Sequence, residues 1–213
     1  MADGLAERPP GEGWDAGTHD GVVVFLRPVK GKSIHEVWAR TVLSASARDL
    51  QDALTDPDRF HTFMPYLKEA RYVGEPGKVS ITYTLIEPPI IGRRDYVSEV
   101  RLLEELQPGG EGAFRQTWRA LIDRLPKRHG VVRLEHNEGS WHIVPRAEGR
   151  AEVLYRLSVA PGGIVPGALA RMTARGAAGD TLRAVEKEAR RRGAQRLRSG
   201  TSARRDQELA PDL

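Results

Sequence analysis

Apolar residues alternate with polar ones through most of the chain, and past Ala160 they recur instead at three- and four-residue steps. The run Val22-Val23-Val24-Phe25-Leu26 and the alternating stretch 35–43, separated by Lys30-Gly31-Lys32, predict a hairpin. Ser46 with Asp49 three residues on predicts a capped helix over 47–54, ended by Thr55-Asp56-Pro57. A short helix or irregular turn is expected over 59–66. Strands are then predicted at 70–73, 79–86, 95–104, 113–122, 131–137, 141–145 and 151–159. Turn residues divide them: Gly74-Glu75-Pro76-Gly77, Pro88-Pro89, Gln107-Pro108-Gly109-Gly110 and Asn137-Glu138-Gly139. Short connections make antiparallel pairing the default.

Pro161-Gly162-Gly163 is a turn signal, and Pro166 suits the first turn of a helix, where its missing N–H is not needed. A helix is predicted from there to about Arg192. Its expected buried stripe is Val165, Leu169, Met172, Gly176, Gly179, Leu182, Glu186 and Ala189, with the arginines largely elsewhere. Gly176 and Gly179 each cost about 1 kcal/mol relative to alanine inside a helix. Close packing on a sheet would explain them, and so would room left for another molecule. The fold class is therefore α+β, one antiparallel sheet with a long helix packed on it.

Strand parity sorts the faces. Phe114, Gln116, Trp118 and Ala120 share one face of their strand, as do Tyr96, Ser98, Val100 and Leu102, and Val153, Tyr155, Leu157 and Val159. Each inward face mixes large apolar groups with a polar one: Gln116, Ser98 or Tyr155. A solid core seldom holds such groups without partners. A ligand cavity uses a few of them for orientation, though ordered water or backbone partners would serve equally.

Composition narrows the classes. The 213 residues are 39% hydrophobic and 29% charged, with no apolar run near the roughly 18–20 residues of a membrane span. The first twenty residues lack the apolar centre of a secretory signal. Cysteine is absent, which excludes disulfides and thiolate metal sites and fits a cytoplasmic setting. Residues 1–13 are expected to be disordered, 14–192 to form one domain, and 193–213 to be a basic, disordered tail. The net charge of +4 is concentrated as arginine in the last quarter. Such a face suits transient, peripheral contact with anionic lipid headgroups, or is simply a solvated helix face with a tail. Aromatic residues are not interleaved with these arginines, so nucleic-acid binding by stacking is not expected.

Catalytic motifs are weak. Gly74-Glu75-Pro76-Gly77-Lys78-Val79-Ser80 has the wrong glycine spacing for a phosphate loop, and valine follows its lysine. The six histidines form no His-Glu-x-x-His, and His136 and His142, placed on adjacent strands by the predicted turn, lack a clear third ligand. No metal site is expected. Asp123, Arg128 and His129 share one loop and are expected to be solvated charges rather than acid–base catalysts.

Several segments, in order, resemble one family. They are Gly21-Val22-Val23-Val24-Phe25-Leu26-Arg27-Pro28-Val29, Leu54-Thr55-Asp56-Pro57, Met64-Pro65-Tyr66-Leu67-Lys68-Glu69-Ala70, Gly92-Arg93-Arg94-Asp95-Tyr96-Val97, His129-Gly130-Val131-Val132-Arg133 and Gly162-Gly163-Ile164-Val165-Pro166. From about Trp14 to Arg192 the chain resembles START (StAR-related lipid-transfer) domains of the Bet v 1-like, polyketide-cyclase-like superfamily. The resemblance implies a helix-grip fold, with a curved antiparallel sheet wrapped around the C-terminal helix and a hydrophobic cavity between them. It implies that the 123–130 loop and the start of the last helix close the cavity. It also implies cofactor-free binding, transfer or sensing of a lipid, sterol-like or other apolar molecule. On that template Tyr83, Tyr96, Val100, Trp118, Tyr155, Leu169, Met172 and Gly176 would be cavity-wall residues, and no residue would be catalytic. Arg94-Asp95 matches the family's Arg-Asp pair, here expected to anchor its strand as an ion pair or cap. The acidic and basic cavity residues of some sterol carriers are replaced by Tyr83 or Thr84 and by Val100, which favours a largely apolar ligand. The alternative is a polyketide cyclase or aromatase on the same fold, with Tyr83, Arg94, Tyr96, His142 and Tyr155 as candidate acid–base groups.

Overall fold

The computed structural model describes residues 10–30, 34–163 and 165–208, with side chains as far as 199. Strands β1 (Asp15–His19), β2 (Val22–Pro28) and β3 (His35–Leu43) precede helix α1 (Ala47–Leu54) and a 3-10 turn (Pro57–Thr62). Then come β4 (Leu67–Tyr72), β5 (Val79–Ile86), β6 (Arg94–Glu104), β7 (Phe114–Ala120), β8 (Val132–Arg133), β9 (Asn137–Pro145), β10 (Ala151–Val159) and helix α2 (Gly167–Glu208). The ten strands form one sheet, nine of them in the order β1-β2-β3-β10-β9-β7-β6-β5-β4 and β8 paired alongside β6. Every pair is antiparallel except β8, which lies parallel to the start of β6. α2 packs on this sheet in the helix-grip arrangement, and α1 packs on α2.

The core follows from alternation on the strands and a repeating apolar face on α2. Ala178, Leu182, Val185 and Ala189 of α2 meet Val24, Leu43, Leu50, Phe114, Ile143 and Val153. Ser46 caps α1 as expected, its Oγ accepting from the Asp49 amide at 3.1 Å.

Three boundaries differ from expectation. β1 was not expected, because Asp-Ala-Gly-Thr-His carries almost no apolar signal. It forms because Asp20 (φ 49°) and Gly21 (φ 75°) make a tight two-residue hairpin onto β2. Asn137-Glu138-Gly139, expected to be a turn, is the start of β9, while β8 spans only two residues of the 131–137 stretch. Finally, α2 runs past Arg192 to Glu208. Arg192 pairs with Asp56 at 2.8 Å and Arg196 with Asp49 and Asp52 at 2.7 Å, so α1 and the turn after it hold this part of the helix.

Glu188 lies within the same arginine cluster. Hydrogen bonds from Arg191 first, and then from Arg192, hold its carboxyl down from an ordinary 4.5 to about 2, against the opposing effect of burial. A depressed folded pKa means its contribution is complete above about pH 4.5 and is lost as pH falls toward 2. Glu188→Gln should therefore be less stable than the native chain at neutral pH, and the gap should close across that window. Urea midpoints measured at several pH values check this, and a gap independent of pH would refute it.

Candidate functional site: the cavity between sheet and helix

A cavity of about 460 Å³ lies between the sheet and α2. It exists because both facing surfaces carry small side chains. β5 turns Ser80, Thr82 and Thr84 inward, and α2 turns Ala170, Ala174, Ala177 and Ala178 toward them. Neither surface reaches far enough to fill the space, so packing stops short of the usual interior density. Larger groups close it elsewhere: Phe60, Met64 and Tyr66 after α1, Pro88 and Ile91 between β5 and β6, and Pro161 and Val165 before α2.

An aromatic wall completes it. Trp141 and Tyr155 lie with ring centroids 4.4 Å apart, and Trp118 stacks on Tyr155 at 6.1 Å. The Trp118 indole donates to Asn137 Oδ1 at 3.1 Å. Trp118 pairs across the strands with Gly139, where an added Cβ would come within 2.4 Å of the indole and 2.3 Å of the Arg156 carbonyl oxygen. Glycine is thus required inside β9 for the tryptophan to lie flat, which is why a turn-like triplet is strand here.

Most of the polar groups on the wall are neutral. Burial above all, and secondarily Tyr96, pushes the Tyr155 phenol up. Burial also raises Tyr96, against hydrogen bonds with Thr84 and Asn137. Both phenols are protonated at neutral pH. Burial, and then the Arg171 charge, lowers His35. Ser98 Oγ is buried on the wall and has no hydrogen-bond partner in the structure.

Of the expected wall residues, Tyr96, Val100, Trp118 and Tyr155 line the cavity, as do Gln116 and Ser98. Tyr83, Leu169, Met172 and Gly176 do not. Tyr83 sits on the opposite face of β5 from Ser80, Thr82 and Thr84, beneath the Arg128 and Arg71 guanidinium groups at 4.8 and 5.2 Å. On the amino-terminal half of α2 the inward stripe is Ala170, Thr173, Ala174, Ala177, Ala178 and Thr181, one position along from the expected Leu169, Met172 and Gly176, a rotation of about 100°, whereas Val165 lines the cavity and Leu182 and Ala189 are buried as expected. Met172 is consequently 63% exposed. Gly176 and Gly179 face β1 instead, where a Cβ on Gly179 would lie 2.6 Å from the His19 ring. Close packing accounts for that glycine.

The Arg-Asp pair is divided between the two faces of the sheet. Asp95 turns outward and is gripped by Arg133 at 2.7 Å, while Arg94 turns inward, its Nε donating to the Pro161 carbonyl at 3.2 Å. The 123–130 loop supplies no lining residue. Arg133 ties its start, donating to the carbonyls of Ile122, Leu125 and Pro126, and Arg128 pairs with Glu69 at 2.7 Å. That loop covers the outer face of the sheet. His136 immediately precedes β9 and His142 lies within it, six residues further along the same run of chain, so the two do not flank a turn on adjacent strands.

The Ser80-Thr82-Thr84 alternation and the alanines of α2 were legible as small residues at the right period. Nothing in the sequence marked them as facing one another across a gap.

Residues 43–186 match the model of a family described as polyketide cyclase/dehydrase and lipid transport. The chain is 25% identical over 191 residues to the uncharacterized protein PA1579 of Pseudomonas aeruginosa, covering 89% of this chain and 93% of that one. A STAR-related lipid transfer protein from Xanthomonas axonopodis is 28% identical with a TM-score of 0.73, over 84% of this chain and 99% of that structure. Human STARD10 shares the fold at 16% identity and a TM-score of 0.73, over 96% and 85%. With the cavity and helix-grip sheet described above, these likenesses make the chain a member of the polyketide cyclase/dehydrase and lipid transport family, with START lipid-transfer domains as its structural neighbours.

Proposed function

We propose that the protein is a non-catalytic carrier or sensor of an apolar small molecule or lipid held between the sheet and α2. The observation that carries this reading is the cavity itself, about 460 Å³ with mostly apolar and small walls. That volume falls within the roughly 300–1,000 Å³ typical of small-molecule sites. Burial of an alkyl chain supplies about 0.8 kcal/mol per methylene, so affinity needs little polar recognition. The two wall phenols, both pushed upward, are poor acid–base groups at neutral pH, which favours binding over cyclase chemistry. Residues 14–192 are the ligand-binding unit in this reading, and the arginine-rich exposed face of α2 is a surface for transient contact with anionic membrane.

Native mass spectrometry of the purified protein, followed by solvent extraction, tests the proposal. A stoichiometric apolar mass is the expected result. A protein that carries nothing and also fails to take up fluorescent fatty acids or lipids would overturn it.

A further inference from the structure

Arg94 opens β6 on the same face as Tyr96, Ser98, Val100 and Leu102, and all five line the cavity. The arginine is 5% exposed. Its Nε is used by the Pro161 carbonyl, and none of the described residues gives it a carboxylate partner. Asp95 is saturated on the other side of the sheet by Arg133 and Tyr83. A buried guanidinium without a counter-charge is costly unless an anion completes it. Ser98, four residues along the same wall and 2% exposed, leaves its Oγ unpaired as well. Past it the wall becomes Val100 and Leu102. One side of the cavity therefore grades from cation through hydroxyls to hydrocarbon.

The charge balance limits the anion. Glu105 lies beyond the opposite end of β6, and His35, the other basic group of the lining, has its pKa lowered by burial. Arg94 is thus the lasting cation. One guanidinium matches one negative charge, and its planar fork suits a carboxylate. A phosphate monoester carries about 1.5 to 2 charges at neutral pH and would leave part of them uncompensated in an apolar site. The first turn of α2, whose Ala170 borders the same cavity, contains no acidic residue to compete.

Given the carrier reading, on which this rests, we infer that the cavity takes an apolar molecule bearing a single carboxylate, which pairs with the Arg94 guanidinium. The ligand class is an amphipathic monocarboxylic acid, its chain or ring system directed toward Val100, Leu102 and the Trp118–Tyr155 wall.

Four probes with one chain test this: oleate, oleyl alcohol, methyl oleate and oleyl phosphate. Their affinities are read at neutral pH by displacement of a fluorescent apolar probe. The native protein should prefer oleate to the alcohol and the ester by about 10- to 100-fold, the range of a charge-assisted pair. Arg94→Met should abolish that preference, and Arg94→Lys should retain part of it. The native preference requires no variant, so it decides the matter even if Arg94→Met does not fold. Equal binding of acid and alcohol by the native protein would overturn the carboxylate assignment and leave the carrier reading standing. Tighter binding of oleyl phosphate would overturn the choice of carboxylate. Binding of none of the four would overturn the carrier reading, and this inference with it.

Discussion

Replacing Asp95 with alanine is expected to lower the unfolding free energy by about 3–5 kcal/mol, the cost of breaking a buried ion pair from one side. The pair is fully enclosed. Arg133 Nε reaches Asp95 Oδ1 at 2.7 Å, its Nη2 reaches Oδ2 at 3.1 Å, and both side chains are 1% exposed. Tyr83 donates a further hydrogen bond to Oδ2 at 3.2 Å, and its phenol is pushed up to about 12 by burial first and the Asp95 charge second. Without Asp95 the guanidinium keeps its three backbone carbonyls but loses its counter-charge in a site that excludes water. The same change removes the tie between β6, β8 and the covering loop, so the loss should be cooperative. Urea unfolding of Asp95→Ala, Arg133→Met and the double variant checks this. The double variant should be more stable than Asp95→Ala, since no charge is then left unpaired. A loss below about 1 kcal/mol for Asp95→Ala would show that the pair behaves as an exposed one.

Ala177→Trp should abolish ligand retention while leaving the melting temperature within a few degrees of the native value. Ala177 lines the cavity on α2 but does not belong to the packed cluster formed by Ala178, Leu182 and Val185. An indole there occupies space that the native chain leaves unfilled. Displacing three or four methylenes of a bound chain weakens binding by about 100-fold at roughly 0.8 kcal/mol each. Met172→Trp is the control. Its side chain is on the solvent side of the same helix, so it should change neither ligand content nor stability. Native mass spectrometry and thermal melts separate the outcomes. Full ligand retention by Ala177→Trp would place the ligand elsewhere, and a collapse in melting temperature would mean the space is already packed.

The two helix positions illustrate how far the sequence reaches. Period and turn chemistry located the start of α2 and most strands within a few residues, because alternation and the 3.6-residue repeat are local properties. The same parity put Tyr96, Ser98, Val100, Gln116, Trp118 and Tyr155 on inward strand faces, and the family resemblance made Tyr96, Val100, Trp118 and Tyr155 wall residues; all six line the cavity. It did not place Tyr83, because a buried tyrosine on a strand looks the same whether it faces a cavity or lies under Arg128 on the outer face. Nor could it set the rotation of α2 at its amino end. Leu169 and Met172 carry the stronger hydrophobic signal, yet the helix turns alanines inward there, because its rotation is set farther along, where Leu182, Val185 and Ala189 pack into the core.

The α+β class, the antiparallel pairing, the family resemblance and most of the element order were determined by the sequence, through patterns that depend on near neighbours. Only the tertiary structure decided that Arg94 and Asp95 point to opposite faces, with Arg133 as the partner of Asp95. It alone decided that β1 clasps α2 at Gly179, and that small residues from β5 and α2 leave about 460 Å³ between them. A cavity is a deficit of volume between surfaces distant in the chain, and local sequence encodes what each surface carries but not the gap left between them.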